Sequence, residues 1–404
     1  MIPDALKKEI SLKDLRLPRP SGGPSLRLPS LKGPSFRLTR NRSFRLAQAR
    51  DEDLVGVELE AGSVAAAQVH VNGSASVTAA AVQPLPVGAF EDGEVRDPET
   101  VTAALSEMFE ANRLGRRVRL GIGNQRVVVR TLRLPAIEDP DELDSAVRFA
   151  AQEELPMPID QAVLDHRVVG GVAAQGDGPP QIDVIVVAAR RDMVASSLRP
   201  LHEAGLEPVG VDLSAFGMIR ALGELAPAYR EDAIAGEQPA QRGVLYCNVG
   251  DATNLAIAKG RSCLFTRVSP TGLEDIVGSL VSGTGLLPEH ARQWIEYVGL
   301  ATPPGQLGGD PALVERVRAT IERGADSLLG ELRLSLDYYG GQETAVPVER
   351  VVLCGPGSAI AGLPERMHST LGLPVEIGRP SALAGYDPAL ASRLTLPFGI
   401  ALDG

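Results

Sequence analysis

Cysteine, histidine and aromatic side chains are scarce in this chain of 404 residues. The three cysteines, Cys247, Cys263 and Cys354, are odd in number and far apart, at no metal-ligand spacing. That pattern excludes a disulfide framework or a zinc module and points to buried free thiols in a reducing compartment. The five histidines (His70, His166, His202, His290 and His368) form no pair at helical or hairpin spacing, which argues against a metal enzyme. Aromatics are only 4% of residues, so a stacking platform for nucleic-acid bases is not expected. No apolar run of about 18 residues occurs, and the N-terminal stretch lacks the apolar centre of a secretion signal. The expectation is a cytoplasmic protein with an aliphatic core, large enough for more than one domain.

Charge is present but unevenly placed. Residues 1–50 carry twelve Lys/Arg against three Asp/Glu, whereas the remainder carries 28 against 48, so a basic tail of +9 precedes an acidic body of −20. The tail holds six prolines and a loose repeat: Leu15-Arg16-Leu17-Pro18, Leu26-Arg27-Leu28-Pro29, Phe36-Arg37-Leu38, Phe44-Arg45-Leu46. Such short spacing with proline between units does not make a folded repeat and reads as disorder. Arginines with interleaved Leu and Phe suit an anionic membrane surface or an acidic partner, and equally a solvated tail tethered to its own acidic body. The acidic body makes nucleic acid the weakest of these partners.

The body alternates strands and helices. Strands are expected at 54–59, 64–71 and 76–83, a helix at about 97–112 opened by Asp97-Pro98-Glu99, and a strand at 117–122. A strand at 127–134, a helix from Asp139 to Glu154, strands at 162–169 and 181–189, a helix at 191–204 and a strand at 208–213 follow. Ser214 reads as the cap of a helix to about Leu225. Residues 226–242 are polar and rich in Pro, Gly, Glu and Gln, a linker between two halves. The second half repeats the order: strand–turn–strand at 243–258, a strand at 262–269, helices at 273–280, 288–298 and 311–339, a strand at 351–354, a glycine loop, a helix at 360–371 and a strand at 375–377.

The second half opens on Gly243-Val244-Leu245-Tyr246-Cys247-Asn248-Val249-Gly250-Asp251-Ala252-Thr253-Asn254-Leu255. Its turn offers glycine and small polar groups, which can set backbone N–H groups and hydroxyls against a phosphate or simply close a β-hairpin.

Several runs together resemble the PilM family of type IV pilus assembly proteins, actin-like ATPase-superfamily relatives of FtsA. They are 146–160, ending Glu154-Leu155-Pro156-Met157-Pro158-Ile159-Asp160; Leu164-Asp165-His166-Arg167-Val168-Val169-Gly170; Gly205-Leu206-Glu207-Pro208; Val211-Asp212-Leu213-Ser214-Ala215-Phe216; and Val351-Val352-Leu353-Cys354-Gly355-Pro356-Gly357-Ser358. The resemblance spans 54–403. It implies an α/β fold of duplicated, actin-like ribonuclease-H-type domains with an inserted small α/β subdomain. The expected divisions are the tail at 1–50, a first half at 51–225 with the insert at about 126–195, the linker at 226–242, and a second half at 243–404.

The resemblance also implies a nucleotide cleft for ATP or ADP with magnesium. Glu58, Gly62 and Ser63 of one loop and Asn248, Gly250, Asp251, Thr253 and Asn254 of another would face the phosphates, with Gly355, Gly357 and Ser358 near the adenosine. Departures from the family pattern weaken that cleft. Glu58 stands for an aspartate, Glu60 for a glycine, Ala65 for a lysine, Asn248 for an aspartate and Ile295 for a lysine. Two unit charges about 4 Å apart at an effective dielectric near 20 interact by roughly 4 kcal/mol, so an added carboxylate and a missing ammonium oppose phosphate binding. Hydrolysis is not expected, and no residue is assigned a catalytic role.

The resemblance implies a scaffold at the cytoplasmic face of the inner membrane. It would receive the N-terminal cytoplasmic peptide of a PilN-like protein in a groove lined from 148–154 and 182–188, and link indirectly to the pilus motor ATPase and the membrane platform. The alternatives are a nucleotide-switched ATPase and a self-associating, FtsA-like filament protein tethered by its tail.

Overall fold

A computed structural model describes residues 53–172, 180–223, 242–342 and 345–402. The basic tail and all but the last residue of the 226–242 linker lie outside the described residues.

In chain order the elements are β1 (Leu54–Glu60), β2 (Ser63–Asn72), β3 (Ser74–Pro84), the short hairpin β4 (Phe90–Glu91) and β5 (Glu94–Val95), α1 (Pro98–Asn112), β6 (Arg117–Ile122), β7 (Val128–Pro135), α2 (Pro140–Glu154), β8 (Ala162–Val172), β9 (Gln181–Arg190), α3 (Arg191–Glu203), β10 (Glu207–Leu213) and α4 (Ser214–Leu222). There follow β11 (Gly243–Val249), β12 (Thr253–Lys259), β13 (Ser262–Ser269), α5 (Leu273–Thr284), α6 (Pro288–Val298), α7 (Pro311–Gly340), β14 (Val348–Cys354), α8 (Leu363–Leu371), β15 (Val375–Ile377) and α9 (Pro388–Ala401). The described residues of Arg126–Ala195 form one compact unit; those of Ser196–Leu402 and those up to Gln125 form another.

The larger unit contains the duplication. One five-stranded sheet runs β3-β2-β1-β6-β10 and the other β13-β12-β11-β14-β15, the same order in each. In both, three sequential strands pair antiparallel and the next two add in parallel. Helix starts follow local chemistry. Asp97 accepts the Thr100 N–H at the head of α1, with Pro98 in the first turn, where its missing N–H costs nothing. Val101, Leu105, Met108 and Phe109 form the buried stripe of α1 that their spacing predicts. In the second half, Val314, Val317, Ile321, Leu328 and Leu332 of α7 share one core with Ile276, Leu280 and Ile295.

Two helices exchange between the halves. Helix α4 follows β10 of the first sheet yet packs on β11, β12 and β13, while α9 follows the second sheet and packs on β1, β2 and β6. They cross each other at Gly217 and Gly399. The sequence expectations assign no element to 388–401; the helix there carries Pro397 and Gly399, whose low helix propensities are overridden by a buried environment over 394–401.

Three local expectations are corrected. Ser214 is not a cap: Leu213 holds that position without a side-chain bond, and the Ser214 hydroxyl goes elsewhere. The helix expected from 360 begins at Leu363, after a 3-10 turn at Pro356–Ala359, because Gly362 takes a left-handed φ of 88°. In the smaller unit, the antiparallel sheet β7-β9-β8 is covered on one face by α2. Ile182, Val184, Val186 and Ala188 are buried in the core with Val147 and Ala151, so these side chains of the expected groove fill a core instead of lining an open channel.

Candidate functional site

The two sheets of the larger unit present their first hairpins to each other. The turn after β1 brings Gly62 to Asp251 in the turn after β11, and the Gly62 N–H donates to Asp251 Oδ2 at 2.8 Å. Glu60, at the end of β1, places its carboxylate against Gly250. The loops that the sequence pairs, with Gly62 and Asp251 189 residues apart, therefore do meet. They meet through carboxylates.

Glu58 is buried, and one of its oxygens, Oε1, accepts the Ser214 hydroxyl at 2.6 Å. Burial pushes its pKa up to about 7; the Ser214 bond works against this and the charge of Asp212 adds to it. Burial raises Glu60 to about 8, with the charge of Asp251 next, Arg393 opposing, and Glu58 and Glu274 adding. Glu274 is raised by burial and by Asp251, against Arg292. Arg292 of α6 lies over Gly62 and donates to Glu274 at 2.6 Å, and Arg393 of α9 donates to the Ser63 hydroxyl oxygen at 3.2 Å.

Two of the remaining predicted residues, Thr253 and Ser358, bond to the chain itself. Thr253 donates to the Thr271 carbonyl at 2.7 Å and Ser358 to the Gly355 carbonyl at 2.6 Å. Gly355 has φ 81°, and a side chain there would strike Asn248 Oδ1 and the Val249 carbonyl, so glycine is needed for its approach to β11. Gly357 approaches Val249 in the same way. Asn248 and Asn254 are buried, with Asn248 Nδ2, Asn254 Oδ1 and Glu58 Oε2 lacking hydrogen-bond partners. Sequence reasoning missed Ser214, Glu274, Arg292 and Arg393. It singled out Ile295 on α6, which faces the core, while Arg292 one turn earlier faces the cleft.

A nucleotide's phosphates need free N–H donors and cations. Here the Gly62 N–H is taken by Asp251, Arg292 is paired with Glu274, and three carboxylates crowd the two hairpins. The unpartnered atoms of Glu58, Asn248 and Asn254 make the floor polar without making it cationic. These residues do not fit a triphosphate.

The raised carboxyls have a pH consequence. Between the unfolded value of 4.5 and about 8, the folded protein holds protons that the unfolded chain has released. Stability therefore falls as pH rises through that window and levels off above it. Glu60→Gln removes the largest contribution. Its unfolding midpoint should match wild type near pH 5 and exceed it above about pH 8; a constant difference between the two proteins across the range would count against the assignment.

Two equal sheets, exchanged helices and facing hairpins define an α/β protein of the actin-like fold. A family model described as Type IV pilus assembly protein PilM matches residues 56–395, and the chain belongs to that family. Among solved structures, it is similar to a chain of a PilM–PilN type IV pilus biogenesis complex, with 24% identity over 87% of this chain and 98% of that one, at a TM-score of 0.70. It is also similar to the ethanolamine utilization protein EutJ from Carboxydothermus hydrogenoformans, with 15% identity over 88% and 92% and a TM-score of 0.50. No helix among the described residues is long and apolar enough to cross a membrane.

Proposed function

We propose that this chain is a non-catalytic scaffold of the type IV pilus inner-membrane assembly machinery, holding the N-terminal cytoplasmic tail of a PilN-like membrane protein. The observation that carries this reading is the match to the PilM family across 56–395. That partner would hold the protein at the inner face of the membrane and link it indirectly to the motor ATPase.

The smaller unit is the docking candidate. Strand β8 pairs only with β9 among the described residues, leaving an edge to which an extended peptide can add by main-chain hydrogen bonds. Beside that edge, His166 of β8 lies 3.7 Å from Asp144 of α2, which also holds Arg148 at 2.8 Å. These groups would read polar side chains of the peptide. Phe149 on the outer surface of α2 is 73% exposed and offers an apolar anchor.

Titration with a synthetic PilN-like N-terminal peptide should saturate, and hydrogen exchange should slow in β8 and α2. Phe149→Ala should weaken binding by roughly tenfold if the ring is an anchor, as about 1.4 kcal/mol is tenfold. Saturable binding with protection confined to the larger unit would relocate the groove. No binding would remove the reading.

A further inference from the structure

We infer that the cleft between the two sheets of the larger unit is clasped by the protein's own side chains, so that its closure requires no nucleotide. This goes beyond the peptide-docking role and rests on different residues.

The clasp is reciprocal. Asp251, from the second hairpin, accepts the backbone N–H of Gly62 in the first. Glu60, from the first hairpin, reaches back over Gly250 in the second. Each reaching side chain meets a glycine, and each glycine leaves room that a side chain would take. A Cβ at Gly250 would collide with Glu60, and one at Gly62 would meet the Arg292 guanidinium. The backbone N–H of a tight turn is the group that would greet an anionic ligand. Asp251 is the anion it greets here. A free phosphate would have to break that charge-assisted bond and displace the Asp251 carboxylate from the Gly62 amide.

Two cations hold the carboxylates in place. Arg292 spans from Gly62 to Glu274, joining the first hairpin to α5 and α6 of the second half. Arg393 comes from α9, which belongs to the second half in sequence and lies on the first sheet in space. Its guanidinium holds Ser63 and offsets Glu60. The groups facing Glu60 are thus Glu58, Asp251, Glu274 and Arg393, three acids and one base.

The test is amide exchange of the full chain without nucleotide, with magnesium ATP then added as the probe. The Gly62 amide should be protected in wild type from the outset and unchanged by magnesium ATP. Asp251→Ala should speed its exchange at least tenfold. Asp251→Asn retains a carbonyl acceptor and should keep most of the protection, which separates loss of the clasp from loss of folding. Circular dichroism of each variant reports folding directly. The inference is overturned if Gly62 exchanges freely in wild type and becomes protected on adding magnesium ATP. It is also overturned if a folded Asp251→Ala protein exchanges Gly62 at the wild-type rate.

Discussion

Arg220→Met should destabilise the larger unit by about 3–5 kcal/mol, the range for removing one partner of a buried ion pair. Arg220 on α4 and Asp212 on β10 form such a pair, with side chains 8% and 9% exposed. The same guanidinium donates through Nε to the Gly399 carbonyl of α9 at 2.9 Å. One side chain thus ties a strand of the first sheet to both exchanged helices. Without it, the Asp212 carboxylate stays buried with no counter-charge, near Glu58, whose pKa it already raises. Arg220→Lys should recover only part, because one ammonium on a flexible stem cannot match the planar fork across both acceptors. The double variant Asp212→Asn, Arg220→Met should be more stable than Arg220→Met alone, since the uncompensated charge is gone. Chemical denaturation of all four proteins measures this. A single Arg220→Met variant with the wild-type midpoint would show that the pair does not organise the crossing.

Gly399→Ala is the second large effect. A Cβ at Gly399 would overlap the carbonyl of Gly217 and crowd Ala221. The obstacle is backbone of a helix packed on the other sheet, which cannot rotate aside as a side chain could. Overpacking of this kind costs about 1–3 kcal/mol and occasionally more. The Arg220 bond to the Gly399 carbonyl is strained by the same displacement, so the two substitutions should not be additive. Gly330→Ala in α7 is the control: Gly330 is exposed and meets nothing within 4 Å. There the helix propensity of alanine should stabilise by up to about 1 kcal/mol. Equal effects at the two sites would mean that the crossing has slack.

The repeated strand order was legible because its signals are local. Short, largely apolar runs between tight turns mark β1, β2, β11 and β12, and Asp-Pro starts mark α1 and α2. The two halves could be matched because the same local signals recur in the same order. Helix α9 was not legible: it has no clear apolar stripe, and Pro397 and Gly399 lie inside it. Only its burial between β1, β2 and α4 makes it a helix, and that is a property of the assembled fold. The candidate site divided along the same line. Glu58, Gly62, Asn248, Gly250 and Asp251 sit in recognisable hairpins. Ser214 was misassigned because its partner, Glu58, is 156 residues away. Arg393 and Ser63 are 330 residues apart, so no spacing rule could join them. The absence of a lysine at Ala65 was visible in the sequence. The replacement of the missing ligand contacts by an Asp251–Gly62 bond was visible only once both turns were placed.

The central claim is a scaffold that captures a peptide without help from nucleotide. Its most direct measurement is calorimetric titration of the full chain with a PilN-like N-terminal peptide, performed with and without magnesium ATP. The account predicts saturable binding with the same affinity in both conditions, and no heat from magnesium ATP alone. Peptide binding that appears only after magnesium ATP is added, or that tightens with it, would contradict the account.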